Sequence, residues 1–266
     1  TTLIGCIAGL VTPTGGTARV LGHDVLVDYQ QARRLVGLVP QEINFDPFFT
    51  VEESLRFQAG YFGVKLTAER LLEILVALGL ESKRHSRTRQ LSGGMKRRLL
   101  IGKALVHSPK VLFLDEPTAG VDVELRRALW DYVRLLRERG TTIVLTTHYL
   151  EEAEELADRI GLIDHGNLLM VDRKAEVLAR FGQRTTRLVL SERLADLPPA
   201  LQARGARLVE EGGVVELTMP AAQELGPVLE EALAAGLRLR DVETRRSGLE
   251  EIYVELLGRG RAEAAK

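Results

Sequence analysis

The sequence predicts an α/β protein that consists of a layered domain with a parallel sheet and a small α+β domain after it. Two observations carry this prediction. Over residues 1–182, short apolar strands alternate with amphipathic helices, which is the order of a parallel sheet covered by helices. Over residues 183–266, the predicted order is strand, helix, strand, strand, helix, strand, which is the order of a split βαβ unit.

The predicted strands of the first domain are short apolar runs bounded by turn signals or charged residues. They lie at 18–21, 35–40, 111–114, 142–146, 160–164 and 168–171. The run at 111–114 is apolar throughout, which is typical of a strand buried on both faces of a parallel sheet. The last two strands flank a turn signal, His165-Gly166-Asn167, and therefore predict a hairpin.

The predicted helices of the first domain carry apolar residues at the spacing of one helical face. They lie at 1–11, 51–60, 68–80, 92–107, 123–139 and 149–158. The first helix ends before Pro13, because this proline together with Gly15 and Gly16 marks a turn. The helix at 68–80 has a broad apolar face made of five residues, so it is expected to pack against a neighbour: Leu71, Leu72, Leu75, Val76 and Leu78.

The second domain, residues 183–266, has strands and helices of its own. Its strands are predicted at 186–190, 206–210, 214–219 and 237–242, and its helices at 194–204, 221–235 and 249–257. Twelve Lys and Arg residues against fourteen Asp and Glu residues give this domain a net charge of −2. The domain is therefore not a basic arm that binds nucleic acid.

The composition of the whole chain excludes several classes of protein. The 36 Lys and Arg residues balance 37 Asp and Glu residues, so no bulk positive field attracts nucleic acid. A single cysteine, Cys6, excludes an internal disulfide framework and fits a reducing compartment. The apolar run at 3–11 contains glycines and is far shorter than the ~18 residues of a membrane span, and no charged leader precedes it.

Two acidic residues, Asp115 and Glu116, directly follow the buried strand at 111–114. Ligand sites of open α/β sheets lie at the carboxyl ends of such strands. A carboxylate there can hold Mg²⁺ through water, and a neighbouring carboxylate can orient an attacking water. The alternative is a strand that ends in a solvated acidic turn, because apolar runs followed by acids are common.

A serine and two glycines, Ser92-Gly93-Gly94, begin the helix predicted at 92–107. Serine is a natural N-cap, and the free N–H groups of a helix N-terminus attract anions. Glycines allow a ligand to approach the backbone closely, but each costs about 1 kcal/mol relative to alanine inside a helix. This cost favours an anion-binding role over the alternative of an ordinary helix cap.

Three single residues, Gln41, Asp122 and His148, are each more typical of a solvated loop when taken alone. In chain order with Ser92-Gly93-Gly94 and Asp115-Glu116, however, they make five ordered motifs. Over residues 1–182 the sequence resembles the nucleotide-binding subunits of ABC transporters. The resemblance implies a P-loop NTPase-like ABC ATPase domain with a helical subdomain at about 50–107, and a ferredoxin-like accessory domain at 183–266.

The resemblance implies a catalytic or metal-binding role for four of these residues. Glu116 matches the glutamate that polarises the hydrolytic water, and His148 matches the switch histidine that contacts the γ-phosphate of ATP. Gln41 matches the glutamine that senses Mg²⁺ and the attacking water. Asp115 matches the aspartate that holds Mg²⁺ through water. The cofactors implied are ATP and Mg²⁺.

The resemblance also implies a nucleotide-binding role at the subunit interface. Ser92, Gly93 and Gly94 match the signature motif, which clamps the γ-phosphate of ATP bound to the opposite subunit. Asp122 matches an aspartate of the dimer interface. Met95 stands where a glutamine is common, and this variation resembles the branch that serves drug, antibiotic or polysaccharide exporters.

Thr1 and Thr2 are interpreted as the end of a phosphate-binding loop of the form G-x-x-x-x-G-K-[ST]. Counting back from the turn at 13–16 places Thr1 at the [ST] position, as a Mg²⁺ ligand, with Thr2 near the phosphates. The glycines, the lysine and the strand before them are then expected upstream of Thr1. Residues 1–266 alone are expected to bind ATP weakly and not to turn it over. Alternatively, the two threonines simply begin a helix.

The function implied is that of an ATP-hydrolysing motor that exports a substrate through a separate membrane permease. Two copies, or two paired ATPase subunits, would form a dimer on the cytoplasmic, inner face of the cell membrane. Five of the seven phenylalanines fall between residues 45 and 62, and Phe45, Phe48 and Phe49 are expected to receive the permease. Core packing is the alternative role for this cluster.

The alternative function is a non-hydrolysing binding or regulatory module that lost its phosphate-binding loop. The presence of Asp115, Glu116 and His148 argues against it, because such a module would not need them.

Overall fold

The structure is a computed structural model that describes residues 1–44, 46–118 and 123–254, without the side chains of residues 124 and 125. It divides into two compact units, of which the first is Thr1–His148 and the second begins at Tyr149. The domain boundary expected from the sequence, near residue 182, stays a prediction.

The strands of the first unit are β1 (Arg19–Val20), β2 (His23–Asp24), β3 (Val36–Val39), β4 (Val111–Asp115) and β5 (Thr142–Thr146). Strands β3, β4 and β5 form a parallel sheet, as the sequence predicts, and the structure gives their order as β3-β4-β5. Strands β1 and β2 form an antiparallel pair. Every residue of the central strand β4 is buried, as expected of a parallel strand covered on both faces. The carboxyl ends of the three parallel strands therefore lie at one edge of the sheet.

The helices of the first unit are α1 (Thr2–Ala8), α2 (Tyr29–Leu35), α3 (Val51–Tyr61), α4 (Ala68–Ala77), α5 (Gly93–Leu105) and α6 (Val123–Glu138). Helices α3 and α4 contribute fully buried side chains such as Leu55, Leu71 and Leu75. The packing face of α4 is narrower than predicted, because Leu72 and Val76 are 43% and 55% exposed. Helix α2 is absent from the sequence prediction, because it buries only Ala32 and thus lacks an apolar stripe.

Close packing of β3 against α5 requires glycine at position 37. A Cβ atom there would lie 2.5 Å from the carbonyl oxygen of Ala104 and 2.9 Å from Cγ of Pro109. Since a backbone oxygen cannot swing aside, the alanine variant Gly37→Ala is expected to lower the free energy of unfolding by about 3 kcal/mol. The control is Gly60→Ala in α3, where a Cβ atom would meet no atom within 4 Å. This substitution should raise the free energy of unfolding by about 0.5–1 kcal/mol, because alanine favours helix more than glycine. Urea unfolding followed by circular dichroism compares the two, and equal midpoints would contradict this packing.

A carboxylate network anchors the N-terminus of α3 to the turn that precedes α5. Glu52 accepts hydrogen bonds from Arg84 Nε at 2.5 Å, from Arg84 Nη2 at 3.1 Å and from Arg56 Nε at 2.7 Å. The Arg84 guanidinium, followed by that of Arg56, lowers the pKa of Glu52 from its ordinary 4.5 to about 2. The Glu52 side chain is half-buried and its two arginine partners are more exposed, so the network is only partly shielded from solvent.

The depressed pKa of Glu52 predicts a pH-dependent contribution to stability. A carboxyl whose pKa is lower in the folded state stabilises above its unfolded pKa, near 4.5, and loses that contribution as the pH falls toward about 2. Glu52→Gln is expected to cost about 1–3 kcal/mol at pH 7 and less at pH 3. Thermal unfolding at both pH values checks this, with exposed Glu81→Gln as control. A deficit that stays constant between pH 7 and pH 3 would contradict the role of the carboxylate charge.

The strands of the second unit are β6 (Arg159–Asp164), β7 (Asn167–Arg173), β8 (Gln183–Leu190), β9 (Arg207–Val209), β10 (Val214–Pro220) and β11 (Leu239–Arg246). Strands β6 and β7 form the predicted hairpin. The other four form an antiparallel sheet in the order β11-β8-β10-β9, which is the ferredoxin-like arrangement expected from the sequence.

The helices of the second unit are α7 (Leu150–Leu156), α8 (Lys174–Phe181), α9 (Pro199–Ala203), α10 (Gly226–Ala234) and α11 (249–254). Two predicted helix starts are wrong: α9 begins at Pro199 rather than at 194, and α10 at Gly226 rather than at 221. The reason is proline at the first or second helical position, in α9 Pro199 and in α10 Pro227. Pro198 has an extended backbone, as residues before a proline usually do, so α9 becomes helical only at Pro199. Helix α10 begins at Gly226, one residue before its proline.

One core joins the residues on either side of position 182. Leu249 and Ile252 of α11 pack in one buried cluster with Ile160 and Leu162 of β6 and Val177 of α8. This shared cluster explains why the residues that follow His148 group with the C-terminal sheet. Within the described ranges, every helix is too short or too polar to span a lipid bilayer.

Candidate active site

The three residues predicted to be catalytic meet at the carboxyl edge of the parallel sheet. Gln41 follows β3 by two residues, Glu116 follows β4 directly, and His148 follows β5 by two residues. The amide Nε2 of Gln41 donates to Oε2 of Glu116 at 2.8 Å. Nδ1 of His148 lies 3.2 Å from the other carboxylate oxygen, Oε1. Both oxygens of the Glu116 carboxylate are therefore oriented by neighbours from adjacent strands.

The backbone of Glu116 has an unusual conformation. Its φ angle is +46°, in the left-handed region that side chains other than glycine rarely adopt. Its N–H group donates to the carbonyl oxygen of Thr146 at 3.0 Å, which extends the pairing of β4 with β5 by one residue. Conformations of this kind cost about 1–3 kcal/mol and cluster at functional sites. With this backbone conformation, the carboxylate contacts both Gln41 and His148.

Asp115 lies beside Glu116 but in a different environment. Its side chain is buried, and the Thr146 hydroxyl donates to its Oδ1 at 2.5 Å. The backbone nitrogen of Thr1 lies 3.8 Å from the same oxygen. The fold thus brings Thr1 next to Asp115, although 114 positions separate them along the chain.

A cavity of about 300 Å³ adjoins these groups. Its lining residues are Thr1, Pro40, Gln41, Glu42, Asn44, Leu100 and Asp115. The three residues that the sequence analysis assigns to Mg²⁺, namely Thr1, Gln41 and Asp115, all line it. Their hydroxyl, amide and carboxylate oxygens are the hard ligands that Mg²⁺ prefers.

The donor set fits a magnesium ion that is shared with phosphate. In the ranges the structure describes, no three His, Cys, Asp or Glu side chains cluster as a metal cage. Mg²⁺ usually takes only one or two carboxylates and completes its shell with water and substrate phosphates. Asp115, with Thr1 and Gln41 nearby, matches that pattern.

The glycine-rich helix start lies elsewhere on the first unit. Ser92 caps α5 by accepting the N–H of Met95 at 3.2 Å. A Cβ atom on Gly93 would meet no atom within 4 Å, so this turn is open to a ligand. Ser92, Gly93 and Gly94 are not among the residues that line the cavity beside Asp115. The fold therefore does not bring this motif into the same pocket as Gln41 and Asp115 of its own chain.

The remaining predicted residues have varied positions. Thr2 is exposed at the start of α1. Phe48 is 71% exposed, whereas Phe49 is half-buried with its ring centroid 5.4 Å from that of Phe57. Phe57 in turn contacts Tyr61 edge to face, and both are exposed. Asp122 and Phe45 lie outside the described residues.

Two residues that contact this site, Arg97 and Thr146, are not predicted from the sequence. Arg97 is buried and donates to backbone carbonyls at the ends of β3 and β4, including those of Gln41 and Glu116. It stands in the basic run 96–98, which gives no signal that the middle side chain turns inward. Thr146 ends an apolar strand, and its bond to Asp115 follows only from the pairing of β4 with β5.

Comparisons with known proteins identify the family. A family model described as ABC transporter matches residues 1–119. The chain is 36% identical to the daunorubicin/doxorubicin resistance ATP-binding protein DrrA of Streptomyces peucetius, over 97% of this chain and 80% of that protein. It is 33% identical to the linearmycin resistance ATP-binding protein LnrL of Bacillus subtilis, over 97% of this chain and 86% of that protein.

Two further relatives cover less of the chain. Nod factor export ATP-binding protein I of Burkholderia orbicola is 45% identical to this chain over 62% of the chain's length. The chain thus spans about half of the length of that protein, 55%. A solved structure described as the ATP binding subunit of an ABC transporter superposes with a TM-score of 0.61 at 27% identity, over 68% of this chain and 76% of that one. From these relatives and the assembled motifs, the chain belongs to the ABC transporter family as one of its ATP-binding subunits.

Proposed function

We propose that the full-length protein hydrolyses ATP to drive export through a separate membrane permease. The observation that carries this proposal is the arrangement of Gln41, Glu116 and His148 beside Asp115 at one edge of the sheet. A non-hydrolysing module is not favoured, because it has no use for a strained, oriented carboxylate next to a buried one. The relatives described as resistance and export proteins support export over import.

The proposed chemistry is transfer of the γ-phosphoryl group of ATP to water. Glu116 would accept a hydrogen bond from that water, since a carboxylate held by Gln41 and His148 still has lone pairs to offer. His148 directs Nδ1 at the carboxylate, which fixes the orientation of its ring. Mg²⁺, when bound at Asp115 with Gln41 and Thr1, would neutralise charge on the phosphates.

A second copy of the subunit is part of the proposal. The cavity beside Asp115 lacks Ser92, Gly93 and Gly94 of its own chain, and Gly93 is open to a ligand. A helix N-terminus from a partner subunit would supply the N–H groups that stabilise the phosphate. In this arrangement each ATP lies between two copies of the subunit. One copy contributes the sheet edge with Gln41, Glu116 and His148, and the other contributes its glycine-rich helix start.

The dimer predicts complementation between two inactive variants of the full-length protein. Ser92→Arg should block the helix start, and Glu116→Gln should disable the catalytic carboxylate. A mixed dimer then has one intact site, made of Glu116 from the first variant and Ser92 from the second. We expect mixing to restore a substantial part of the ATPase activity, measured as phosphate release after exchange of subunits.

The control for complementation is a single chain that carries both substitutions. Mixed with either single variant, it should stay inactive, because no combination restores a complete site. Absence of recovery in mixed dimers whose formation is shown by affinity tags would contradict action between subunits.

Membrane attachment and permease contact complete the proposal. The relatives are named as ATP-binding proteins of resistance and export systems, which supports a separate permease partner. With such a partner, the subunit would lie on the cytoplasmic face of the membrane. Exposed Phe48, beside half-buried Phe49, supports this surface as the docking site.

A further inference from the structure

Arg97 of helix α5 is a buried cation beside the carboxyl edge of the parallel sheet. We call the part of this edge that carries Gln41, Glu116 and His148 the catalytic edge. Only 3% of its surface is exposed, and its guanidinium makes five hydrogen bonds to backbone carbonyl oxygens. The acceptors are Pro40 at 2.7 Å, Gln41 at 3.1 Å, Asp115 at 3.0 Å, Glu116 at 2.8 Å and Pro117 at 2.9 Å. All three guanidinium nitrogens take part, which is a larger set than a lysine could satisfy.

The acceptors belong to two segments that are far apart in sequence. One segment leaves β3 and carries Gln41, and the other leaves β4 and carries Glu116. The 2.8 Å bond between the side chains of Gln41 and Glu116 requires these segments to keep a fixed separation. A planar, rigid guanidinium that bonds to both segments sets that separation, because its donors diverge at fixed angles.

The cation also joins the catalytic edge to the glycine-rich helix start. Arg97 lies five residues after Ser92, within the second turn of α5. Its bonds to Asp115 and Glu116 run from this turn to the end of β4. The helix start and the catalytic carboxylate of one chain are thus connected through a single buried side chain.

We propose that Arg97 is a positioning residue for ATP hydrolysis, holding the Gln41 and Glu116 segments in the arrangement that orients the attacking water. This inference rests on the proposed function for its catalytic consequence. In this proposal Arg97 does not contact the nucleotide. Its removal should therefore affect the rate of turnover much more than the concentration of ATP needed for half-maximal rate.

The test compares Arg97→Lys with Arg98→Lys in the full-length protein. Arg98 is a matched control because its Nη1 also donates to backbone carbonyls, those of Leu78 and Gly79, but away from the catalytic edge. We expect Arg97→Lys to lower kcat about tenfold or more with KM for ATP little changed, since small misplacements of catalytic groups are costly. Arg98→Lys should leave both parameters near the wild-type values.

A second readout does not depend on ATP. Hydrogen–deuterium exchange of the nucleotide-free protein should become faster at the amides of residues 41–44, 115, 116 and 118 in Arg97→Lys, and stay unchanged there in Arg98→Lys. The folded fraction of each variant is measured by circular dichroism, and kcat is expressed per folded molecule. If Arg97→Lys does not fold, Arg97→Gln is the second variant. This readout reports on the positions of the two segments directly.

Several results would overturn the proposal. They are wild-type exchange in both segments, wild-type kcat in Arg97→Lys, an equal loss of kcat in Arg98→Lys, and a loss expressed mainly in KM. A wild-type protein without ATPase activity would instead count against the proposed function. In that case the exchange comparison alone decides whether Arg97 positions the two segments.

Discussion

Glu116→Gln in the full-length protein is expected to lower ATP turnover by about 100-fold or more, the usual contribution of a positioned catalytic base. The carboxylate is oriented by Gln41 and His148, so its loss removes the group that would hold the attacking water. Glutamine has nearly the same size and can still bond to both neighbours. ATP binding should therefore stay close to that of the wild type.

The measurement is steady-state phosphate release, together with ATP binding by equilibrium dialysis at low temperature. Glu81→Gln is the control, because it makes the same chemical change at an exposed site in the turn after α4. Turnover near the wild-type rate in Glu116→Gln would remove Glu116 from the mechanism. Loss of ATP binding in that variant would point instead to a structural role at the end of β4.

Asp115→Asn is expected to abolish the dependence of ATP binding on Mg²⁺ and to reduce turnover by about 100-fold or more, as expected when an electrostatic clamp on the phosphates is lost. Asp115 is buried beside Thr1 and Gln41 and lines the same cavity. Asparagine preserves the shape and can still accept from the Thr146 hydroxyl, but it removes the negative charge that attracts the cation.

Nucleotide affinity measured with Mg²⁺ and with EDTA checks this prediction. In the wild-type protein the two affinities should differ, and in Asp115→Asn they should converge. Asp131→Asn is the control, since Asp131 lies exposed on α6 in a pair with Arg134. A variant that keeps the full effect of Mg²⁺ would show that the cation binds elsewhere.

Local patterns in the sequence predicted most of the first unit. Strand β4 is an uninterrupted apolar run that ends in two acids, and the structure shows it buried and central. The order of strands and helices was enough to predict a parallel sheet. In such a sheet the carboxyl ends share one edge, so the meeting of Gln41, Glu116 and His148 follows from topology.

Predictions failed where a local pattern competes with a stronger constraint. The helix expected at 194–204 begins only at Pro199, because the two prolines at 198 and 199 outweigh the apolar spacing before them. Helix α2 was missed because it buries a single alanine and has no apolar stripe. In both cases hydrophobic periodicity alone was too weak a signal.

The sequence by itself determined the family motifs and the alternation of strands and helices, and it predicted the candidate site residues. Only the tertiary structure decided that Arg97 is buried among five carbonyl oxygens and that Glu116 adopts a left-handed backbone. Both features depend on segments distant in sequence, the ends of β3, β4 and β5, coming together around α5. Local propensity does not encode such a meeting, because its energy arises from hydrogen bonds formed only once the sheet has assembled.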